Sequence, residues 1–335
     1  MAFKNFLVIL LFFVSVLNAD SPKNIIDTIK DQPSLTTLSY LISQASEEDI
    51  AILTNNNNSI TLFAPNNDAI QLVEIQFLSQ PDTLLQTVNY HLVNGSFSDT
   101  SLGELNYLPT FLNSTKWVQL GGKPQYLVVT RDKDNNIDVN YGMKSVNAPS
   151  KVIGSGIQTS NGYIYIIDTV LQIPKSLNES LVDSGKYPNF LKYISKIESI
   201  INNSTNGVTI FLPDDNSFAA TIKDYDDSKI TDTLNNLIIT SPIYLGNLTD
   251  GQKIQTLGSE ETISIKDGVY YVGNTKITIS DILISNGVVH VTEYVVGADN
   301  VAGKNNNSSS NDGDSIMTNL MFSLILVSFT ILFTL

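Results

Sequence analysis

The chain contains no cysteine, only two histidines, His91 and His290, and a single arginine, Arg131. No disulfide can staple the fold, so each domain of a secreted chain must be held by an apolar core of its own. Thiolate metal sites and thiol nucleophiles are excluded as well. Two histidines in distant segments cannot build a histidine-rich metal centre. A Ser-His-Asp triad would have to use one of them without the Gly-x-Ser-x-Gly turn that presents the nucleophile. A formal net charge of -14 without basic clusters argues against nucleic acid as a partner. Gly154-Ser155-Gly156 is too short to cradle a phosphate and leads into a strand, not a helix. Carboxylates are plentiful, yet no motif pairs two of them for glycoside hydrolysis. These shortages point to a protein that is not an enzyme and needs no cofactor.

The two ends carry most of the long apolar runs. Residues 1–19 have the layout of a secretory signal: Lys4 as a short positive region, an apolar stretch from Phe6 to Leu17, and Ala19 as a small residue at the cleavage point. Leu17 is a poor partner at the third position back. Ile316 to Leu335 is apolar and ends the chain with no basic residue after it. A polar, small-residue stretch precedes it, with 298–307 as a stalk and 308–335 as a discarded propeptide. This is the layout of a glycosylphosphatidylinositol (GPI) attachment signal, with Asn307 as the candidate attachment residue and Asn305, Asn306 and Ser308 as alternatives. A single membrane span is the competing reading. The expected location is the secretory pathway and then the outer face of the plasma membrane, held by a lipid anchor. Asn-x-Ser/Thr sequons, read as glycan sites in surface loops, stand at Asn57, Asn94, Asn113, Asn178, Asn202, Asn203, Asn247 and Asn306, and Asn307 also begins one.

Between the ends, two sentences are written twice. Ile60-Thr61-Leu62-Phe63-Ala64-Pro65 returns as Val208-Thr209-Ile210-Phe211-Leu212-Pro213, and Asn161-Gly162-Tyr163-Ile164-Tyr165 returns as Asn286-Gly287-Val288-Val289-His290. Paired motifs in one order indicate a duplicated domain, over 21–174 and 175–297. The first pair is offset by 148 residues and the second by 125, so the second copy lost about 23 residues, within the region matching 99–125.

Local patterns give each copy helices first and strands after. Ile25, Ile29, Leu38 and Ile42 form one helical stripe, and Phe190, Ile194, Ile197 and Ile201 form another, expected as a single amphipathic helix. Asn66 or Asn67, and Asp214 or Asp215, are positioned to cap the helices after the Phe-x-Pro strands. Trp117–Leu120, Tyr126–Thr130 and Ile137–Asn140 read as strands in the first copy. The two Asn-Gly pairs read as hairpin turns in which both residues take positive φ. Asp132 to Asp138 supplies oxygens at the first positions of a calcium loop, but Ile137 stands where glycine is needed and Met143 where a bidentate glutamate is needed. An acidic turn is the better reading.

Thr61 to Asp68, Asn89-Tyr90-His91-Leu92-Val93-Asn94-Gly95 and Asn161 to Leu171 together resemble the three signature blocks of the fasciclin (FAS1) domain. The resemblance implies an α+β fold, two tandem FAS1-like domains, each a β-sandwich or wedge with helices packed at one side. It also implies an adhesion or matrix-interaction glycoprotein with no general catalytic activity. The partners would be cell-surface or matrix proteins or polysaccharides, or a second copy of the chain. By resemblance, Tyr90 and His91 are the candidate adhesion pair; the competing reading is that they pack in the core. The matching segment of the second copy, Ile238 to Gly246, has no Tyr-His pair. The alternative function is a binding module for a small ligand, sugar or lipid in a cleft between the domains.

Overall fold

A computed structural model describes residues 22–55, 58–73 and 80–298. The expected signal, Asn57, Asn306, Asn307, the propeptide and all of the stalk beyond Ala298 lie outside the described residues.

The first repeat opens with three short helices, α1 (Ile25–Lys30), α2 (Thr36–Gln44) and α3 (Glu47–Thr54). Pro33, which has no N–H to offer a helix interior, divides the predicted stripe between α1 and α2. The chain then enters β1 (Ile60–Pro65), turns through α4 (Asn67–Gln71) and α5 (Pro81–His91), and returns as β2 (Leu92–Asn94). Asn66 is the cap, accepting the Ala69 N–H at 2.7 Å. Asn67 instead accepts the Thr37 N–H, tying α4 to α2. Six strands follow: β3 (Leu105–Pro109), β4 (Tyr126–Arg131), β5 (Ile137–Asn140), β6 (Ser150–Lys151), β7 (Ile157–Thr159) and β8 (Gly162–Ile167).

They form two four-stranded sheets, in the orders β2-β1-β8-β7 and β3-β4-β5-β6. Strands β1 and β8 run parallel in the middle of the first sheet, from Ile60 opposite Gly162 to Pro65 opposite Ile167. Every residue of β1 is buried, as expected for a strand covered on both faces. The alternation of side chains sorts the core. Ile60, Leu62, Ala64 and Ile164 face the helices with Ile25, Ile29, Leu35 and Leu53. Phe63, Tyr165 and Ile167 face the second sheet with Leu127, Val129 and Val139.

The second repeat reuses the plan with α6 (Leu177–Ser184), α7 (Pro188–Leu191), α8 (Ser195–Asn203), β9 (Val208–Pro213), α9 (Asp215–Ile222), α10 (Asp227–Asn235) and six strands. These are β10 (Ile238–Ile239), β11 (Lys253–Gln255), β12 (Glu260–Lys266), β13 (Val269–Val272), β14 (Thr275–Ile284) and β15 (Gly287–Thr292). The stripe Phe190–Ile201 is buried as predicted, but it rides on two helices, because the chain breaks its helical course between Leu191 and Ser195. Asp214, not Asp215, caps α9. Asp215 turns back and accepts the N–H groups of Asn189 and Phe190, so it fastens α9 to α7.

All seven strands of this repeat join one sheet, β10-β9-β15-β14-β13-β12-β11, again with a parallel central pair. The ten-residue β14 spans what the first repeat divides into β6 and β7, and it bends through two register shifts on the way. Between the third and fourth strands of a repeat, the first copy has residues 110–125 and the second only 256–259, which places about half of the missing length where the sequence put it; most of the rest is lost between the fourth strand and the last hairpin.

Two sequence readings change. Trp117–Leu120 is not a strand: the Trp117 and Val118 N–H groups both donate to Ser114 O at 2.8 Å, closing a turn that still buries Val118 and Leu120. The Asn-Gly hairpins have positive φ only at the glycines, +147° at Gly162 and +158° at Gly287. Asn161 and Asn286 are buried tethers. Asn161 accepts the Ile25 N–H and donates to Leu53 O, and Asn286 donates to Ile201 O, so each turn holds the helices of its own repeat.

Candidate functional site

Tyr90 and His91 end α5, and the structure closes both off, at 0% and 4% exposure. The Tyr90 ring belongs to the core between the two sheets, and its hydroxyl points at Tyr126 O and Tyr141 O, 3.3 and 3.5 Å away. Burial pushes its phenol well up from the ordinary value. His91 Nδ1–H donates to Thr87 O at 2.8 Å, one turn back. His91 Nε2 accepts the Leu171 N–H at 2.9 Å and so pins the segment after β8. Burial lowers the imidazole to about 4, against the opposing pull of the Thr87 bond, so the ring is neutral. Neither side chain is available to a partner while the fold is closed, and the pair sits as the core-packing reading describes. Asn94, three residues on, is exposed at the end of edge strand β2.

The other histidine reaches further. Tyr165 stacks on Phe63 at 5.5 Å between centroids, and His290 stacks on Phe211 at 5.8 Å in the same place of the second repeat. Tyr165 is there a core aromatic whose hydroxyl donates to Phe97 O. His290 donates from Nε2 to Ile243 O at 2.8 Å and accepts the Asp281 N–H on Nδ1 at 3.3 Å. Asp281 lies in the bend of β14 with φ +58°, a left-handed conformation that costs a non-glycine residue on the order of 1 kcal/mol. Its carboxylate is buried and uses both oxygens. Oδ1 accepts the Leu245 N–H, and Oδ2 accepts the hydroxyl of Tyr107, which comes from β3 of the first repeat, at 2.9 Å. Tyr107 Oη in turn accepts the Gly246 N–H at 2.8 Å. Burial raises the Tyr107 phenol, and the Asp281 charge raises it further. Burial lowers His290, with the Asp281 charge opposing.

Around this chain of bonds, Tyr244 packs on Tyr107 at 4.9 Å and on Tyr126 at 5.5 Å, with Val128, Leu283 and Val288 beneath. Gln125 is fully buried and donates to Ile284 O, and the Gln119 N–H donates to Ser285 O. Side chains and backbone of both repeats thus share one desolvated contact. Asp281, His290, Tyr107 and Tyr244 were not singled out as site residues by the sequence. The one local signal was a carboxylate, Asp281, inside the apolar run Ile277–Ile284.

Both imidazoles have both ring nitrogens engaged by backbone, so neither is free to move a proton for chemistry. The acidic turn at 132–138 is likewise self-satisfied: Asp132 accepts the N–H groups of Asp134 and Asn136 and the Asn136 side chain, and Asn135 takes φ +65°. No group of carboxylates and histidines that could hold a metal ion occurs among the described residues. Asn113, Asn202, Asn203 and Asn247 are exposed, and Asn178 is half-buried in the first turn of α6 instead of lying in a loop. No helix among the described residues is long and apolar enough to cross a membrane.

Beside the connection between the repeats lies a groove of about 760 Å³, lined by Trp117, Lys144, Asp168, Gln172, Glu179 and Ser285 among others.

The sequence profile of the fasciclin domain matches residues 33–174 and 185–297. A protein described as a fasciclin-like arabinogalactan protein from Arthroderma benhamiae is 23% identical over 295 residues, covering 84% of this chain and 68% of that one. Among solved structures, the FAS1 domain pair of the insect cell adhesion molecule fasciclin I is 19% identical. That match covers 78% of this chain and 96% of the other, with a TM-score of 0.37.

Proposed function

Because the chain belongs to the fasciclin domain family, with two tandem copies of an α+β domain, we propose that it is an extracellular adhesion protein. In this reading it is a glycosylated, lipid-anchored surface protein that contacts other cells or matrix through weak, multivalent interactions, without catalysis. The observation that carries the reading is the buried contact between the repeats, in which Tyr107 and Asp281 fix one copy against the other. A rigid pair presents its surfaces at a fixed spacing. Many such pairs on one membrane convert weak single contacts into firm attachment, because each later contact forms at high effective concentration. The fungal relative is called an arabinogalactan protein, and its name supports a surface glycoprotein. Candidate contact surfaces are the faces left between the exposed sequon asparagines, since Tyr90 and His91 lie within the fold.

The test is beads carrying the glycosylated protein by its C-terminal end, scored for clumping and for binding to cells that express it. Clumping alone would mean that a second copy is the partner, and binding only to cells or matrix would mean a separate receptor or polymer. Beads that do neither, at any surface density, would end the adhesion reading.

A further inference from the structure

We propose that the groove beside the inter-repeat connection is a binding site for a neutral oligosaccharide, such as a segment of an uncharged extracellular polysaccharide. It goes beyond the adhesion reading, because beads could clump through protein contacts with this groove empty.

The volume, about 760 Å³, is within the range of ligand sites. Its lining is mixed. Apolar side chains such as Leu72, Val73 and Ile173 supply the larger part of its surface, and polar side chains that combine donors with acceptors stand among them. Asp168 and Glu179 each hold one carboxylate oxygen in local bonds, from the Lys151 N–H and from Ser176, and offer the other; Lys144 offers an ammonium, and Gln172 and Ser285 can both donate and accept. Sugar hydroxyls, each a donor and an acceptor, need this mixture. Trp117 supplies the other half of sugar recognition. It is half-buried, resting against the core of the first repeat while lining the groove, with the Lys116 ammonium 5.3 Å from its ring centroid; a sugar ring whose C–H face packs on the indole would take the place of that ammonium.

Charge narrows the class further. Two of the lysines in the lining are already committed, Lys116 to Asp82 and Lys175 to Asp183. Only Lys144 then stands against Asp168 and Glu179, in a chain of formal charge -14. An acidic polymer would meet repulsion at long and at short range. An uncharged saccharide would not.

The groove draws its walls from both copies. Trp117 and Asp168 come from the first repeat, and Glu179 and Ser285 from the second. The spacing is set by the Gln119 N–H to Ser285 O bond, which joins the Trp117 turn to the second repeat's hairpin. A site of this kind requires the rigid pair.

Trp117 is the only tryptophan of the chain, so its fluorescence reports on the groove alone. Full-length protein, purified from expressing cells and trimmed of its own N-glycans, would be titrated with neutral gluco-, galacto- and manno-oligosaccharides up to about 10 mM, a range that captures weak sites. Oligouronides and phospholipid vesicles serve as separate arms. A saturable change with at least one neutral series is expected. Calorimetry should then show roughly a tenfold loss of affinity for Trp117→Ala and near-retention for Trp117→Phe, which keeps the plane. Lys144→Ala, at an exposed side chain, should weaken binding with the melting temperature unchanged. The proposal is overturned if no neutral series moves the fluorescence or gives heat, if only uronides or vesicles do, or if Trp117→Ala binds as tightly as the parent while remaining folded.

Discussion

His91 and His290 are held as opposite tautomers by backbone partners. Nδ1 carries the proton in His91 and Nε2 in His290, and each ring spends its second nitrogen accepting an N–H. A protonated ring could not accept that bond, so acid opposes the fold at both sites. For His91 the sign is definite: its folded value is about 4, whereas a histidine in the unfolded chain titrates near 6.5. Between those values the unfolded chain holds the additional proton, so stability falls as pH drops through 6.5 and levels off below about 4. The full effect is about 3 kcal/mol for this one ring. Carboxylates with lowered values, such as Asp183 beside Lys175, lose their contribution only in stronger acid. The window from pH 6.5 to 5 therefore belongs to histidine. Because the chain has only two imidazoles, NMR can follow both. The His91 C–H signals of the native protein should not shift between pH 7.5 and 5.5, while the unfolding midpoint in urea declines from pH 6.5 to 5. A ring titrating near 6.5 in the folded protein would contradict this account.

At the scale of elements, the parts legible in the sequence were those set by near neighbours. Proline followed by asparagine or aspartate marked the ends of β1 and β9, the three-and-four spacing marked the helical faces, and the repeat itself fixed the order of strands. What was not legible depended on distant partners. A continuous apolar run such as Ile60–Pro65 announces burial on both sides but not the neighbour, so the parallel pairing with β8 was invisible. The same blindness hid the Tyr107–Asp281 bond, whose ends are 174 residues apart. The Asn-Gly pairs were read as turns for a local reason, positive φ, when the stronger constraint is again distant. A Cβ on Gly162 would stand 1.7 Å from Ile60 O, and one on Gly287 would stand 2.0 Å from Val208 O. Each glycine lets the last strand of its repeat lie against the first. Gly162→Ala should therefore cost about 3 kcal/mol or more, combining overpacking with backbone strain. Gly122→Ala is the control: φ is +78° there with open space around the added carbon, and the expected loss is about 1 kcal/mol. Equal losses for the two variants in chemical denaturation would show that strain alone, and not the close approach, explains the glycine.

At the scale of the molecule, the question is whether two copies of one domain behave as one body. Joined domains with small polar interfaces usually move and melt separately. Here the contact is desolvated and its polar groups are interdependent. The Tyr107 hydroxyl donates to Asp281 and accepts from Gly246, while Asp281 also accepts from Leu245 and presents its N–H to His290. Tyr107→Phe removes one oxygen and leaves a buried Asp281 carboxylate oxygen without its partner, whereas the exposed Gly246 N–H can turn to water. It does not disturb the ring packing against Tyr244. Loss of a buried hydrogen bond to a charged group costs about 1.5–3 kcal/mol. Both repeats keep their own cores, so that loss falls on the coupling between them. The parent protein should melt in one calorimetric transition. Tyr107→Phe should split it in two and open the connection near Pro174 to protease, with secondary structure unchanged. The same substitution should weaken clumping of protein-coated beads, because a pair that swivels no longer offers its surfaces at one spacing. If Tyr107→Phe melts in one transition at the parent temperature, the buried bond is not what makes the pair rigid. The hydrophobic contact of Tyr126, Val128, Leu283 and Val288 would then have to hold the repeats together by itself.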